Sequence, residues 1–226
     1  MSVPHSSVPD RSLAATLYRL RWFLWVGVLV IGAGIGTLIA VTRSSGKPVA
    51  KAPPPDKGFT WAAGVKRAPN FKLVDENGRP VSPGGFRGHP VLITFMDPVC
   101  HNLCPLEAKA LSSALRSLPP ARRPAIISVS VNRWADGKGA LRHAMAKWKV
   151  PTAWRWAVGK PAALSGVWRA YGIGVRDAKR TVDGITIHDI SHTEATYVVD
   201  RHGYERALFM YPFLPQDVRS AVERLG

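Results

Sequence analysis

Phe95-Met-Asp-Pro-Val-Cys100-His-Asn-Leu-Cys104-Pro105 decides the reading of this chain. The stretch carries the only two cysteines among 226 residues. An apolar run, Val91-Leu92-Ile93-Thr94-Phe95, leads into it. Leu111, Leu115 and Leu118 follow at helical spacing, with Pro105 near the first turn. The cysteines are therefore expected where a buried strand turns into a helix. Free backbone N–H groups and the helix dipole favour thiolates at such a junction. If the first turn already includes Cys100, the four-residue spacing sets both sulfurs on one face, able to share a soft metal or to close a disulfide. A structural disulfide across so short a loop adds little stability, which favours a reactive pair over an inert one.

Outward from this junction the pattern is of alternating strands and helices. Phe71–Val74 and a strand around Val81 flank Asp75-Glu-Asn-Gly78, a hairpin turn. Ala125–Val131 is a second buried-type strand, and Trp154, Trp156 and Val158 alternate as in a half-buried one. Leu141, Ala144, Met145 and Trp148 form one helical stripe; Leu164, Val167, Trp168 and Tyr171 form another. Glu194–Asp200 and Tyr204–Phe209 read as an antiparallel pair around Arg201-His-Gly203, and Val218, Ala221, Val222 and Leu225 as a last amphipathic helix. The order β-α-β-α-β-α-β-β-α predicts helices packed on a central sheet that is parallel in its first part. The tryptophans at 148, 154, 156 and 168 are read as core.

The first quarter of the chain has a different character. Residues 1–21 are a polar tail, expected to be cytoplasmic. Residues 22–41 contain no charged side chain; at about 1.5 Å per residue they cover roughly 30 Å, one bilayer core. Trp22 and Trp25 sit at one end, as interfacial aromatics do, and Gly32-x-x-x-Gly36 is a weak helix-dimer signal. A cleaved signal peptide is the alternative, but the stretch is long for one and no clean Ala-x-Ala site follows. Residues 42–57 are a proline-rich linker, semi-stiff, and 58–226 the folded domain. Basic residues flank both ends of the span, so they do not set its orientation. A short tail inside and the large domain on the extracytoplasmic side of the cell membrane is the simpler arrangement. Lys plus Arg number 31 against 15 for Asp plus Glu, a formal net charge of +16. Such an excess meets anionic lipid, an acidic partner or nucleic acid. With a membrane segment in front, no nucleic-acid partner is expected.

The order of elements, with a cysteine pair at the first strand-to-helix junction, is that of the thioredoxin-like fold. Ala68-Pro-Asn-Phe71-Lys-Leu-Val-Asp75-Glu-Asn-Gly78-Arg-Pro-Val81 and Phe86-Arg-Gly88-His-Pro-Val-Leu-Ile-Thr-Phe95 resemble the opening signature of extracytoplasmic redoxins. Cys100-x-x-x-Cys104-Pro105, Trp168-Arg-Ala-Tyr171-Gly172-Ile173 and Ser191-His192-Thr193-x-x-x-Tyr197-Val-Val-Asp200 together are similar to the Sco/SenC family. Its members are membrane-anchored, thioredoxin-like copper-binding proteins that help assemble the CuA centre of cytochrome c oxidase. The resemblance implies copper, as Cu(I) or Cu(II), held by Cys100, Cys104 and His192, and a partner in the CuA subunit or another copper or thiol protein. Two thiolates and an imidazole suit Cu(I) independently of the resemblance. His192 is expected in the loop before the strand that begins at Glu194, facing the active-site helix.

His101 and Asn102 stand where the family usually has proline and often an acid; here the acid, Asp97, precedes the pair. His101 is a candidate extra ligand and His188 the nearest competitor of His192; His143 and His202 are read as surface, and Asp136 as a turn residue. Two other functions use the same cysteines: thiol-disulfide exchange, with Cys100 and Cys104 as the redox pair, and a non-catalytic binding module with a structural disulfide. A peroxiredoxin is not expected. Its Pro-x-x-x-Thr/Ser-x-x-Cys frame finds Asp97 and His101 before Cys104, and Ile93 and Asp97 before Cys100.

Overall fold

A computed structural model describes residues 57–225. The expected tail at 1–21, the anchor at 22–41 and all but the last residue of the linker at 42–57 lie outside the described residues. Among the described residues no helix is long and apolar enough to cross a membrane.

Three short strands come first: β1 (Phe59–Thr60), β2 (Leu73–Val74) and β3 (Pro80–Val81). β2 and β3 form the expected hairpin. Its turn is built by Asp75, whose Oδ1 accepts the backbone N–H groups of Asn77 and Arg79 at 2.9 Å each, and by Gly78 at φ +80°, a conformation free of Cβ strain only for glycine.

The strand–helix alternation follows: β4 (Val91–Met96), α1 (Leu103–Arg116), β5 (Ala125–Ser130), α2 (Lys138–Lys147), β6 (Trp154–Ala157) and α3 (Pro161–Ala170). After it come β7 (Val175–Val182), β8 (Ile185–His192), β9 (Ala195–Val199), β10 (Glu205–Met210) and α4 (Pro215–Glu223). A six-stranded sheet runs β1-β10-β9-β4-β5-β6. β4, β5 and β6 are parallel, whereas β9 is antiparallel to β4, with Thr94 opposite Thr196.

Alternation along β4 sends side chains to two cores. Leu92 and Met96 join Leu111 and Leu115 of α1, Leu141 of α2 and Val218 of α4. Ile93 and Phe95 join Leu164 and Val167 of α3, with Leu73 and Val81 of the first hairpin. Each such side chain, once fully buried, contributes about 1.5–3 kcal/mol, so the sheet is pinned from both faces, as parallel strands require. The stripes expected at Leu141–Trp148 and Leu164–Tyr171 are these helix faces, and Trp154 and Trp156 are fully buried.

Two features differ from the sequence reading. β1 was not expected, and neither was the hairpin β7–β8, which pairs alone, outside the main sheet. Most of its residues are exposed, so it has no apolar face to betray it. Its turn is Asp183-Gly184, at φ +50° and +77°, the left-handed pair that joins tight hairpins. His192 is consequently the last residue of β8 rather than a loop residue.

Candidate metal centre

The turn out of β4 is tied to Asp97. Its Oδ1 accepts the backbone N–H of Val99 at 2.9 Å, and its carbonyl accepts that of Cys100 at 3.1 Å. The Asp97 carboxylate is itself buried and held by Asn132 Nδ2, which donates to both oxygens at 3.1 Å. Asn102 then caps α1: its Oδ1 accepts the Leu103 N–H at 2.8 Å. The helix therefore begins after Cys100. The condition for two sulfurs on one helical face is not met: Cys104 is helical and fully buried, Cys100 half-buried in the preceding turn. The Cys100 thiol donates to the same Asn102 Oδ1 at 2.9 Å. Both cysteines are free thiols.

His192 comes to Cys104 from 88 residues away, its Nε2 lying 3.7 Å from Cys104 Sγ. His192 Nδ1 lies 3.1 Å from the Thr193 carbonyl. A carbonyl only accepts, so Nδ1 turns its N–H to it and Nε2 is the nitrogen that faces the site, the orientation of a metal-ligating imidazole. Glu194 completes the group. Its Oε1 is 3.2 Å from His192 Nε2 and 3.9 Å from Cys104 Sγ. Donor atoms of Cys104, His192 and Glu194 all lie within 4.8 Å of one another, the one such trio among the described residues. Cys100 stands outside that set, half-buried in the turn before α1.

Behind the trio lies a second carboxyl. Glu107, on α1, is fully buried, and its Oε1 accepts the hydroxyls of Thr94 and Thr196 at 2.7 Å each. The Glu107 and Glu194 carboxyls are close enough to act on one another's charge, and the Oε2 atom of each is buried without a hydrogen-bond partner.

These contacts set the protonation order. The neighbouring Cys104 thiol pulls the Cys100 thiol down to about 6; burial opposes it, and the backbone N–H groups of Asn102 and Cys104 assist. The pairing with Cys100, with burial and the nearby Glu194 carboxylate, pushes Cys104 far up. Burial, then the neighbouring Glu107 carboxyl, push Glu194 up to about 9. Asp136 accepts a hydrogen bond from Ser130 on β5, and burial raises it to about 6; it is more than the turn residue expected.

The structure thus joins Cys104 with His192 and places Cys100 beside them. His101 is exposed. His188 is taken by Asp177, 2.9 Å from its Nδ1, and by the ring of Trp134, 4.0 Å away. His143 and His202 are exposed, as expected. Glu194 and Glu107 were missed. The signal for Glu107 was its phase: it stands three residues after Cys104 and four before Leu111, on the buried stripe. Glu194 has no such signal, because its role comes from a strand pairing. A groove of about 440 Å³ between the Cys100 loop and β8 opens onto the site, lined by Val99, Cys100, Leu103, His188, His192 and Glu194 among others.

A βαβ sheet with a free dithiol at the first strand–helix junction, and an imidazole and a carboxyl closing on it, defines a thioredoxin-like α/β domain equipped to hold a metal. The chain belongs to the SCO1/SenC family, whose model matches residues 62–225. Among solved structures it is similar to Bradyrhizobium japonicum ScoI with copper bound, at 24% identity over 71% of this chain and 99% of that one, with a TM-score of 0.61. It is similar to apo Sco1 from Thermus thermophilus at 24% identity, covering 76% and 97% of the two chains, with a TM-score of 0.64. BsSco, described as carrying a disulfide switch and as belonging to a family of cytochrome c oxidase assembly proteins, matches at 18% identity over 71% and 93%, with a TM-score of 0.55. No curated protein matches the chain by sequence. The fold is the thioredoxin-like fold of Sco proteins. The donor set fits copper on its own chemistry: thiols and an imidazole with a free Nε2 are soft and borderline ligands of the kind that ion prefers.

Proposed function

We propose that this chain is a copper-binding assembly factor, anchored in the cell membrane by residues 22–41 with its folded domain on the extracytoplasmic side. It delivers copper to the CuA site of cytochrome c oxidase, or maintains the thiols of that site. The observation that carries this reading is the approach of His192 Nε2 to Cys104 Sγ, 3.7 Å across 88 residues. Family membership supports it, as do the relatives seen with copper bound. Copper is cargo: Cys100, Cys104 and His192 hold it, and incoming ligands of the acceptor displace them one at a time. Cys100, the more exposed of the pair, is the first reached. Val99 and Leu103 at the groove mouth are 46% and 42% exposed, an apolar rim suited to a protein acceptor. A Cu(I) titration of the full chain, beside a Cys100→Ser/Cys104→Ser control, tests the reading. Roughly stoichiometric, thiol-dependent binding is expected; its absence sinks the copper function.

A second reading, thiol-disulfide oxidoreductase, is favoured by one observation: Cys100 is an accessible thiol held down at about 6. Its thiolate would attack a partner disulfide and expel one partner thiolate. Cys104 would then attack Cys100 Sγ, leaving a Cys100–Cys104 disulfide and a fully reduced partner.

A further inference from the structure

Cys104 Sγ, His192 Nε2 and Glu194 Oε1 stand 3.7, 3.9 and 3.2 Å apart, pairwise. Bonds of about 2.0–2.3 Å from a tetrahedral ion to S, N and O donors would set these edges at about 3.3–3.6 Å. The trio is therefore close to the base of a metal tetrahedron before any ion arrives. Cys100 is not so placed, since it lies outside the 4.8 Å set. Completing a two-sulfur site requires Cys100 Sγ to move closer; completing a site with Glu194 requires almost no movement. The hard donor is held for this role. Glu107, fixed at one oxygen by Thr94 and Thr196, backs Glu194, whose Oε1 faces Cys104 and His192. Glu194 Oε2 is buried and has no hydrogen-bond partner.

We propose that Glu194 is a metal ligand of this site, joining Cys104 and His192 around a divalent ion of borderline hardness, while Cys100 takes that third place for Cu(I). The inference rests on the copper reading above and deepens it. Cys104 and His192 are common to both sets. The third donor is chosen by the charge and softness of the ion: thiolate for copper, carboxylate for a harder divalent ion such as Zn(II). Loading with a divalent ion accordingly leaves Cys100 as a free thiol at the groove mouth.

The test uses the full chain with two probes: Co(II), which thiols do not reduce and whose visible bands report a tetrahedral sulfur-containing site, and Cu(I), in competition with a chromophoric chelator. Glu194→Gln is expected to lower Co(II) affinity roughly tenfold or more and to change its visible bands, leaving Cu(I) affinity within about threefold. Cys100→Ser should do the reverse, and Glu194→Asp should recover part of the Co(II) affinity. Co(II) bands and affinity unchanged in Glu194→Gln overturn the inference and leave the copper function standing. So does a wild-type chain that binds Cu(I) but not Co(II). Equal losses for both ions in Glu194→Gln also overturn it, because they mean a general structural role. A chain that binds neither ion overturns the copper function and this inference together.

Discussion

His188 and His192 stand four residues apart on one face of β8 and meet opposite surroundings. The His188 region lies at the surface. Asp177, across the hairpin on β7, sits 2.9 Å from His188 Nδ1; Trp134 stacks on the ring and donates its Nε1–H to the same carboxylate at 3.1 Å. Arg133 covers Trp134 at 4.2 Å. The His192 region is closed: its side chain is 4% exposed, its Nδ1–H goes to a carbonyl, and its Nε2 faces a sulfur and a carboxyl. The strand supplies the same residue type twice. What each histidine can do is decided by the element that meets it, β7 with an acid in one case and α1 with a thiol in the other.

The largest expected effect tests that division directly. His192→Ala should weaken Cu(I) binding by more than roughly a hundredfold, since losing even an outer hydrogen-bond partner of a ligand costs about 10–100-fold. His188→Ala should leave it unchanged. Competition titration measures both, and equal losses would break the comparison. The next effect is on stability. Thr196→Val removes a hydroxyl from buried Glu107, so chemical denaturation should show a loss of about 1–3 kcal/mol. Asp177→Asn, at the exposed end, should shift the midpoint far less.

A third test sharpens the closed region by its thiols. Cys100 is depressed to about 6, so its reactive anion is present above that pH and is lost as pH falls through it. Alkylation should rise through pH 6 and then level off, with Cys104 slower by at least roughly tenfold. Cys104→Ala removes the main cause of the depression and should move the profile upward. The smallest effect concerns the open region. Against some desolvation, hydrogen bonds from His188 and Trp134 hold the Asp177 carboxyl below its usual range. In His188→Gln an NMR titration should find it moved back up.

The parts that the sequence made legible are those whose residues carry their own pattern. β4 is an unbroken buried run, and α1, α2 and α3 show apolar stripes because one face of each is covered by the sheet. Cys100 and Cys104 were visible as the only thiols, and the resemblance pointed to His192. Three things were hidden for physical reasons. The β7–β8 hairpin buries almost nothing, so hydropathy is silent, and its one signal was Asp183-Gly184. The start of α1 turned on Asn102 as the capping residue, a choice that moved Cys100 off the helix. Glu194 reads as an ordinary surface acid until β9 pairs with β4 and carries it to Glu107.

The dispersal of the site along the chain bears on protein engineering. The dithiol is encoded in one short peptide, but the imidazole arrives on the end of a hairpin and the carboxyl just before the next strand. Grafting Phe95–Pro105 onto another scaffold would transplant a redox motif and leave the rest of the cage behind. The smallest portable module runs from β4 through β9, with Thr94 and Thr196 at its two ends as the clasp that closes on Glu107.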